Sequence, residues 1–271
     1  MLNKKPLVSI ITPCYNDGKY LLECIECVDR INYQNLEHII INDGSTDLLT
    51  CEILKQVEQT ETRKIINTEN AGVCVARQLG VLASNGKYVL PLDADDLISE
   101  TYISQAVELL EKSDDLKLVT TNYKLFGEVN KFIEVESFSL SKLLGHNLYC
   151  NSSIFKRSDF DNIGGYSIYM KDGLEDWEFW IKLLESGGEV KITEGVNYFY
   201  RIKKTKYSRN ASVDEEKRRK LRRVIWENHK NLYSKIYPDP VFTYEFMSVV
   251  NSKEYKIGKL LLNPIRKILN R

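Results

Sequence analysis

Four β-branched runs, each spaced from the next by a helical pattern, constrain this chain more than any single residue does. Residues 7–12, 36–42, 63–68 and 87–92 read as strands, and 19–30, 47–59 and 71–84 as the helices between them. That alternation specifies βαβ units and an α/β fold with a mostly parallel sheet flanked by helices. In such sheets ligands bind beyond the carboxyl ends of the strands. The residues placed there are Tyr15-Asn16-Asp17, Asp43-Gly44-Ser45-Thr46-Asp47, Asn70-Ala71-Gly72 and Asp93-Ala94-Asp95-Asp96. Three of the four segments bring carboxylates to that edge.

From about Glu100 the pattern is mixed. A helix is predicted near 101–112, a strand at 116–122, a less regular stretch up to Asp161, a turn at Gly164-Gly165 and an amphipathic helix over 174–185 with Trp177, Trp180, Ile181 and Leu184 on one stripe. The core is expected to end near Arg201. A basic helix then follows at 213–236 with Leu221, Val224, Ile225, Leu232 and Ile236 facing inward, and a last stretch, 257–269, interrupted by Pro264.

Charge excludes one class of partner. Lys plus Arg and Asp plus Glu both number 38, so no global field attracts nucleic acid. The basic charge is local: ten basic and three acidic residues lie between Lys203 and Arg223, and six basic and one acidic between Lys253 and Arg271. The start runs directly into a strand with no secretory pattern, and no apolar run approaches the ~20 residues of a membrane span, which predicts a cytoplasmic protein. Six scattered cysteines fit a reducing compartment. Cys24 and Cys27 form a C-x-x-C with no second pair beside it, and are read as reduced thiols on a helix rather than a metal site.

Three places carry candidate chemistry. Asp93, Asp95 and Asp96 follow an apolar strand, where carboxylates repel unless a cation joins them; an oxygen-rich edge of that kind suits Mg²⁺ or Mn²⁺, and the alternative is a strand end with Asp96 capping a helix. Asp43 opens a tight turn in which Gly44 takes unusual backbone angles and Ser45 or Thr46 caps the next helix. Its carboxylate can also accept from a base N–H. Glu175-Asp176 opens a helix, where acidic residues meet the positive end of the dipole; the functional reading makes Asp176 a general base kept ionised by that dipole and a nearby metal. Trp177 and Trp180 offer either faces for a sugar ring or core. Neither G-x-G-x-x-G nor a P-loop occurs.

In this order the segments resemble the family 2 glycosyltransferases, whose fold is GT-A. The resemblance rests on Val8-Ser9-Ile10-Ile11-Thr12-Pro13-Cys14-Tyr15-Asn16, Ile41-Asn42-Asp43-Gly44-Ser45-Thr46-Asp47, Asn70-Ala71-Gly72-Val73 with Ala76-Arg77, Gly86-Lys87-Tyr88 leading to Leu92-Asp93-Ala94-Asp95-Asp96, Ile163-Gly164-Gly165-Tyr166 and Glu175-Asp176-Trp177-Glu178-Phe179-Trp180. It covers roughly residues 6 to 202. It implies a Rossmann-like GT-A domain over 1–205, with a nucleotide-binding half (1–98) and an acceptor half (99–205), and a basic helical extension over 206–271. It implies an inverting transfer from a nucleotide-diphosphate sugar, with uridine favoured, in bacterial surface polysaccharide, lipopolysaccharide or capsule synthesis. Pro13, Tyr15 and Asp43 would bind base and ribose, Asp93 and Asp95 would form the D-x-D motif with Asp95 the direct ligand of Mn²⁺ or Mg²⁺, and Asp176 would be the base. Arg77 would approach the diphosphate or form a surface salt bridge. Glu175, Trp177, Trp180 and Lys203 are candidates for acceptor or sugar contact.

Two departures stand out from the family pattern. Asn42 replaces an Asp that often precedes the one matching Asp43. Tyr200-Arg201-Ile202-Lys203 lacks the histidine with which many relatives hold the metal; protonated Lys203 cannot ligate one but can contact phosphate as a point charge. The competing classes are a non-catalytic nucleotide-sugar-binding scaffold and a sugar-phosphate nucleotidyltransferase, which would want a glycine-rich loop after the first strand. The expected acceptor is a saccharide or a lipid-linked one, reached through peripheral membrane contact of 253–271 on the inner face of the cytoplasmic membrane.

Overall fold

The structure is a computed structural model, and it describes residues 5–204, 215–238 and 243–269. Its first half is the expected alternation: β1 (Val8–Cys14), α1 (Gly18–Asp29), β2 (Leu36–Asp43), α2 (Leu48–Gln56), β3 (Arg63–Thr68), α3 (Val73–Leu82) and β4 (Tyr88–Pro91). β1 lies parallel between β2 and β4, with β3 outside β2. Alternate residues serve opposite faces of this sheet. Ile11, Ile39 and Ile41 pack with Cys74, Ala76 and Val81 of α3, while Ile10 packs with Cys24 and Val28 of α1 and Ile40 with Leu21 of the same helix. Helices cover both faces of β1, β2 and β4, which is why these strands are buried along most of their length, whereas edge strand β3 is only half-buried.

The second half is β5 (Leu97–Ile98), α4 (Tyr102–Leu110), β6 (Leu116–Gly127), β7 (Lys131–Ile133), α5 (Leu140–Gly145), β8 (Ile154–Lys156), α6 (Arg157–Ile163), α7 (Glu175–Leu184) and β9 (Glu189–Ile202). The sheet order is β3-β2-β1-β4-β8-β6-β9-β5, with β7 on β6. β8 is the seam: three residues pair antiparallel with both β4 and β6, joining the parallel half to a mixed one. The stretch expected to be irregular up to Asp161 therefore holds β7, α5, β8 and most of α6. Long β9 runs parallel to β6 and delivers Tyr198, Arg201 and Lys203 to the site edge.

The α7 stripe packs as its period predicts. Trp180, Ile181 and Leu184 are fully buried and Trp177 nearly so, against Leu221 and Ile225 of α8 (Glu215–Asn228). The single helix expected over 213–236 is two, α8 and α9 (Lys230–Ile236), because His229 leaves helical geometry at φ −116° and ψ 25°. Its Nδ1 lies 2.9 Å from Glu185 Oε2, a tertiary contact that holds the break. Val213 lies outside the described residues. α10 (Tyr244–Asn251) and α11 (Lys253–Leu269) complete the chain, and α11 continues through Pro264 instead of stopping there. The missing proline N–H strips a partner from the Leu260 carbonyl, but Leu260 is 73% exposed and water can meet it. Cys24 and Cys27 are buried thiols on α1, and Cys27 Sγ donates to the Ile98 carbonyl at 3.1 Å.

Candidate functional site

The turns beyond β1, β2 and β3 are bound to one another by short polar side chains. Gly44 has φ +65°, and a Cβ there would stand 2.6 Å from the Asn70 nitrogen, so both backbone angle and space require glycine. Asn16, also left-handed at φ 56°, accepts through Oδ1 from the N–H groups of Thr46 (2.8 Å) and Asp47 (2.9 Å). Asp47 caps α2 by accepting from Thr50 N at 2.8 Å, where Ser45 or Thr46 was expected; Ser45 Oγ instead accepts from Asn16 N. Asn42 donates to Asn67 Oδ1 (2.9 Å) and accepts from Ser45 N (3.0 Å), a pair of roles that the aspartate it replaces could not fill. Buried Asp43 spends both oxygens on the N–H groups of Ala71 (2.8 Å) and Gly72 (3.0 Å) and so fixes the loop that starts α3. A base N–H at Asp43 would share those oxygens' remaining lone pairs. Pro13 is buried, and Tyr15 is exposed just after it.

At the end of β4 the mutual repulsion of three carboxylates is relieved by the chain's own groups. Arg77 of α3 donates to Asp93 Oδ1 at 2.6 Å and, through its other terminal nitrogen, to Glu175 Oε1. Its side chain is only 3% exposed, so it is neither a surface salt bridge nor free for a ligand. Asn151 adds a longer bond to Asp93 at 3.4 Å. Lys203 reaches Asp95 Oδ2 at 2.7 Å and Asp17 Oδ1 at 2.5 Å. Burial works against both charges of the Asp95–Lys203 pair, yet contact with Asp95 and Asp17 holds Lys203 above its ordinary value, so the ammonium stays charged. Asp96 caps no helix: it is buried, accepts from Arg201 N at 2.7 Å and from the Tyr198 hydroxyl, and anchors β9 to this edge.

Arg77 thereby ties the strand end to the start of α7. Leu174, just before that helix, is left-handed at φ 58°, a strained conformation for a leucine that aims the following acidic pair. Asp176 accepts from Asn147 Nδ2 at 2.8 Å and from Trp177 N at 2.8 Å. Burial first and the Glu175 charge second push its carboxyl up to about 6, against the pull of Arg77. Burial raises this carboxyl more than Arg77 and the hydrogen bonds from Trp177 and Asn147 lower it. Such a group still loses its proton near neutrality, where a general base is most effective. Glu175 serves Arg77 rather than a sugar, and Trp177 and Trp180 are core: Trp177 donates Nε1–H to the Leu143 carbonyl at 2.6 Å, and neither presents an open face.

Residues 9–177 match the family model described as "Glycosyl transferase family 2". The chain belongs to that family. It is 31% identical over 199 residues to an uncharacterized glycosyltransferase of Haemophilus influenzae, covering 67% of this chain and 61% of that one. It is 31% identical over 196 residues to TuaG of Bacillus subtilis, a putative teichuronic acid biosynthesis glycosyltransferase, covering 69% and 75%. The chain thus spans about six tenths of the length of the Haemophilus relative. Among solved structures, S. aureus TarS 1–349 in complex with UDP-GlcNAc matches with a TM-score of 0.69 at 17% identity, over 92% of this chain and 74% of that one. The fold is the expected GT-A fold.

Members with this fold typically use a divalent metal, and the donor set of this family 2 chain fits one poorly. An ion on Asp95 would have to share that carboxylate with, or displace, the Lys203 ammonium that already holds it at 2.7 Å, and like charges so close repel. Among the described residues no group of three His, Cys, Asp or Glu side chains is arranged to hold a metal. Sequence reasoning missed Asp17, Asn147 and Asn151 as members of this site. Asp17 carried a signal, its place just beyond β1; the two asparagines lie in a stretch without periodicity and carried none.

Proposed function

We propose that this chain transfers a sugar from a uridine diphosphate donor to an acceptor hydroxyl with inversion, and that Asp176 is the base. The observation that carries this reading is the Arg77 bridge, which joins the acidic end of β4 to the start of α7 and so sets a leaving-group side and a nucleophile side against each other. In a single displacement the acceptor oxygen attacks the anomeric carbon, its proton passes to Asp176, and the bond to the diphosphate breaks with its electron pair leaving on phosphate. Pro13, Tyr15 and Asp43 line the nucleotide side of the reading. UDP-GlcNAc bound to TarS and the naming of TuaG support a UDP-sugar donor and polysaccharide synthesis.

For the acceptor we propose a saccharide, lipid-linked and met at a membrane surface. α11 exposes Ile257, Leu260, Leu261 and Leu262 in a segment that also carries Lys253, Lys256 and Lys259. No helix among the described residues is long and apolar enough to cross a bilayer. The nucleotide reading is tested by thermal shift with UDP, GDP, ADP and their sugars. A ligand at about a hundred times its Kd adds ~2.7 kcal/mol of stability. UDP and a UDP-sugar should raise the melting temperature by several degrees; a flat response to every nucleotide would refute the reading.

A further inference from the structure

We infer that Lys203 takes the place of a divalent cation in this site, so that donor binding and sugar transfer proceed without metal. The inference rests on the nucleotide-sugar reading and deepens it. The ammonium sits between carboxylates that come from two different strand ends, Asp17 beyond β1 and Asp95 beyond β4, at 2.5 and 2.7 Å. Its side chain is 10% exposed and its Nζ lies 5.2 Å from the centre of the Tyr20 ring, so the charge is fixed in position rather than mobile on a flexible stem. The other D-x-D carboxylate, Asp93, is already met by Arg77. Each acidic residue that would recruit a metal has thus been given a cation by the fold.

The geometry leaves Lys203 one function to spare. A lysine ammonium carries three N–H donors, and two are spent on Asp17 and Asp95, which leaves one for a phosphate oxygen. A cleft of about 310 Å³ opens at Lys203, where Lys19, Arg201 and Lys204 outnumber the one acidic lining residue, Glu128, a balance that favours an anionic ligand. When the bond from the anomeric carbon to the diphosphate breaks, the electron pair leaves on the phosphate oxygen. Lys203 opposes that charge electrostatically, and no proton need move to it.

The test measures UDP affinity by calorimetry in EDTA and in Mn²⁺, and Mn²⁺ binding by EPR without nucleotide, for the wild type and for Lys203→Ala and Lys203→Arg. The wild type should bind UDP equally in EDTA and Mn²⁺, within about twofold, and show no saturable Mn²⁺ site. Lys203→Ala should lose UDP affinity in EDTA by roughly tenfold to a hundredfold, the loss of one charge-assisted hydrogen bond. It should also bind more Mn²⁺ than the wild type, because Asp17 and Asp95 are then short of a cation. Lys203→Arg should keep metal-free binding and checks that the alanine variant's loss is not unfolding. A saturable Mn²⁺ site in the wild type, with UDP bound only in its presence, would overturn the inference and leave the glycosyltransferase reading standing. No UDP binding under any condition would overturn that reading and this inference with it.

Discussion

Replacing Arg77 by methionine should cost this protein a large share of its stability as well as its activity. The guanidinium is 3% exposed and faces Asp93, 28% exposed, and Glu175, 10% exposed. Methionine fills much of the same volume, so the loss is electrostatic: two carboxylates remain without their counter-charge. Breaking a buried pair costs about 3–5 kcal/mol, and the partial access of water to Asp93 favours the lower end, about 3 kcal/mol. Against a total stability of about 5–15 kcal/mol that is a substantial fraction. At about 2–4 °C per kcal/mol, the melting temperature should fall by roughly 6–12 °C in scanning calorimetry. Neutralising the more buried orphan in Arg77→Met/Glu175→Gln should recover part of that, with a coupling of about 0.5–3 kcal/mol. Lys112→Met, which breaks an exposed pair with Glu108, should change stability by under about 1 kcal/mol. If Arg77→Met melted with the wild type, the bridge would not organise this site.

Asp176→Asn should keep UDP affinity and slow transfer by roughly 10²–10⁴-fold, the usual contribution of a positioned base; transfer at the parental rate would remove Asp176 from the mechanism. Because its carboxyl is raised to about 6, the base form is lost as pH falls through that value, and the wild-type rate should drop about tenfold per unit below it. A rate flat down to pH 4.5 would contradict the assignment. The α11 segment should carry the protein onto anionic vesicles more than neutral ones, less so at high salt, and truncation after Ser252 should abolish this while leaving the melting temperature nearly unchanged, since Ile257 and Leu260 to Leu262 are exposed. Full-length protein that ignores vesicles, or a truncated form that unfolds, would make α11 part of the core.

What the sequence revealed and what it hid divide along the range of the interactions. β1 and β2 were legible because their β-branched runs are buried on both faces, β3 because Ile65 and Ile66 sit between turn residues at the sheet edge, and α7 because Trp177, Trp180, Ile181 and Leu184 repeat at helical spacing. The same stripe could not say that both tryptophans were core, because periodicity marks a buried face without marking what it packs against. β7 and β8 were illegible: three residues are too few for a period, and their place comes from partners, β4 and β6, far along the chain. Asp43, Asp93, Asp95, Asp176, Arg77 and Lys203 were all singled out; that the two cations pair with Asp93, Asp95, Asp17 and Glu175 was not. Arg77 meets a glutamate 98 residues away and Lys203 an aspartate 186 residues away, separations across which no local pattern extends. For the same reason the sequence offers Asp96 as a metal-side carboxylate or a cap, whereas Tyr198 and Arg201 claim it, and the burial that raises Asp176 is visible only in the packed structure.

The central claim is a single displacement with Asp176 as base, and its most direct test is the anomeric configuration of the product. Incubated with α-linked UDP-sugars in the absence of an acceptor, the protein should transfer slowly to water. Proton NMR should then show the β-anomer of the free sugar first, before mutarotation, and Asp176→Asn should suppress it. The α-anomer appearing first would mean retention and would contradict the account.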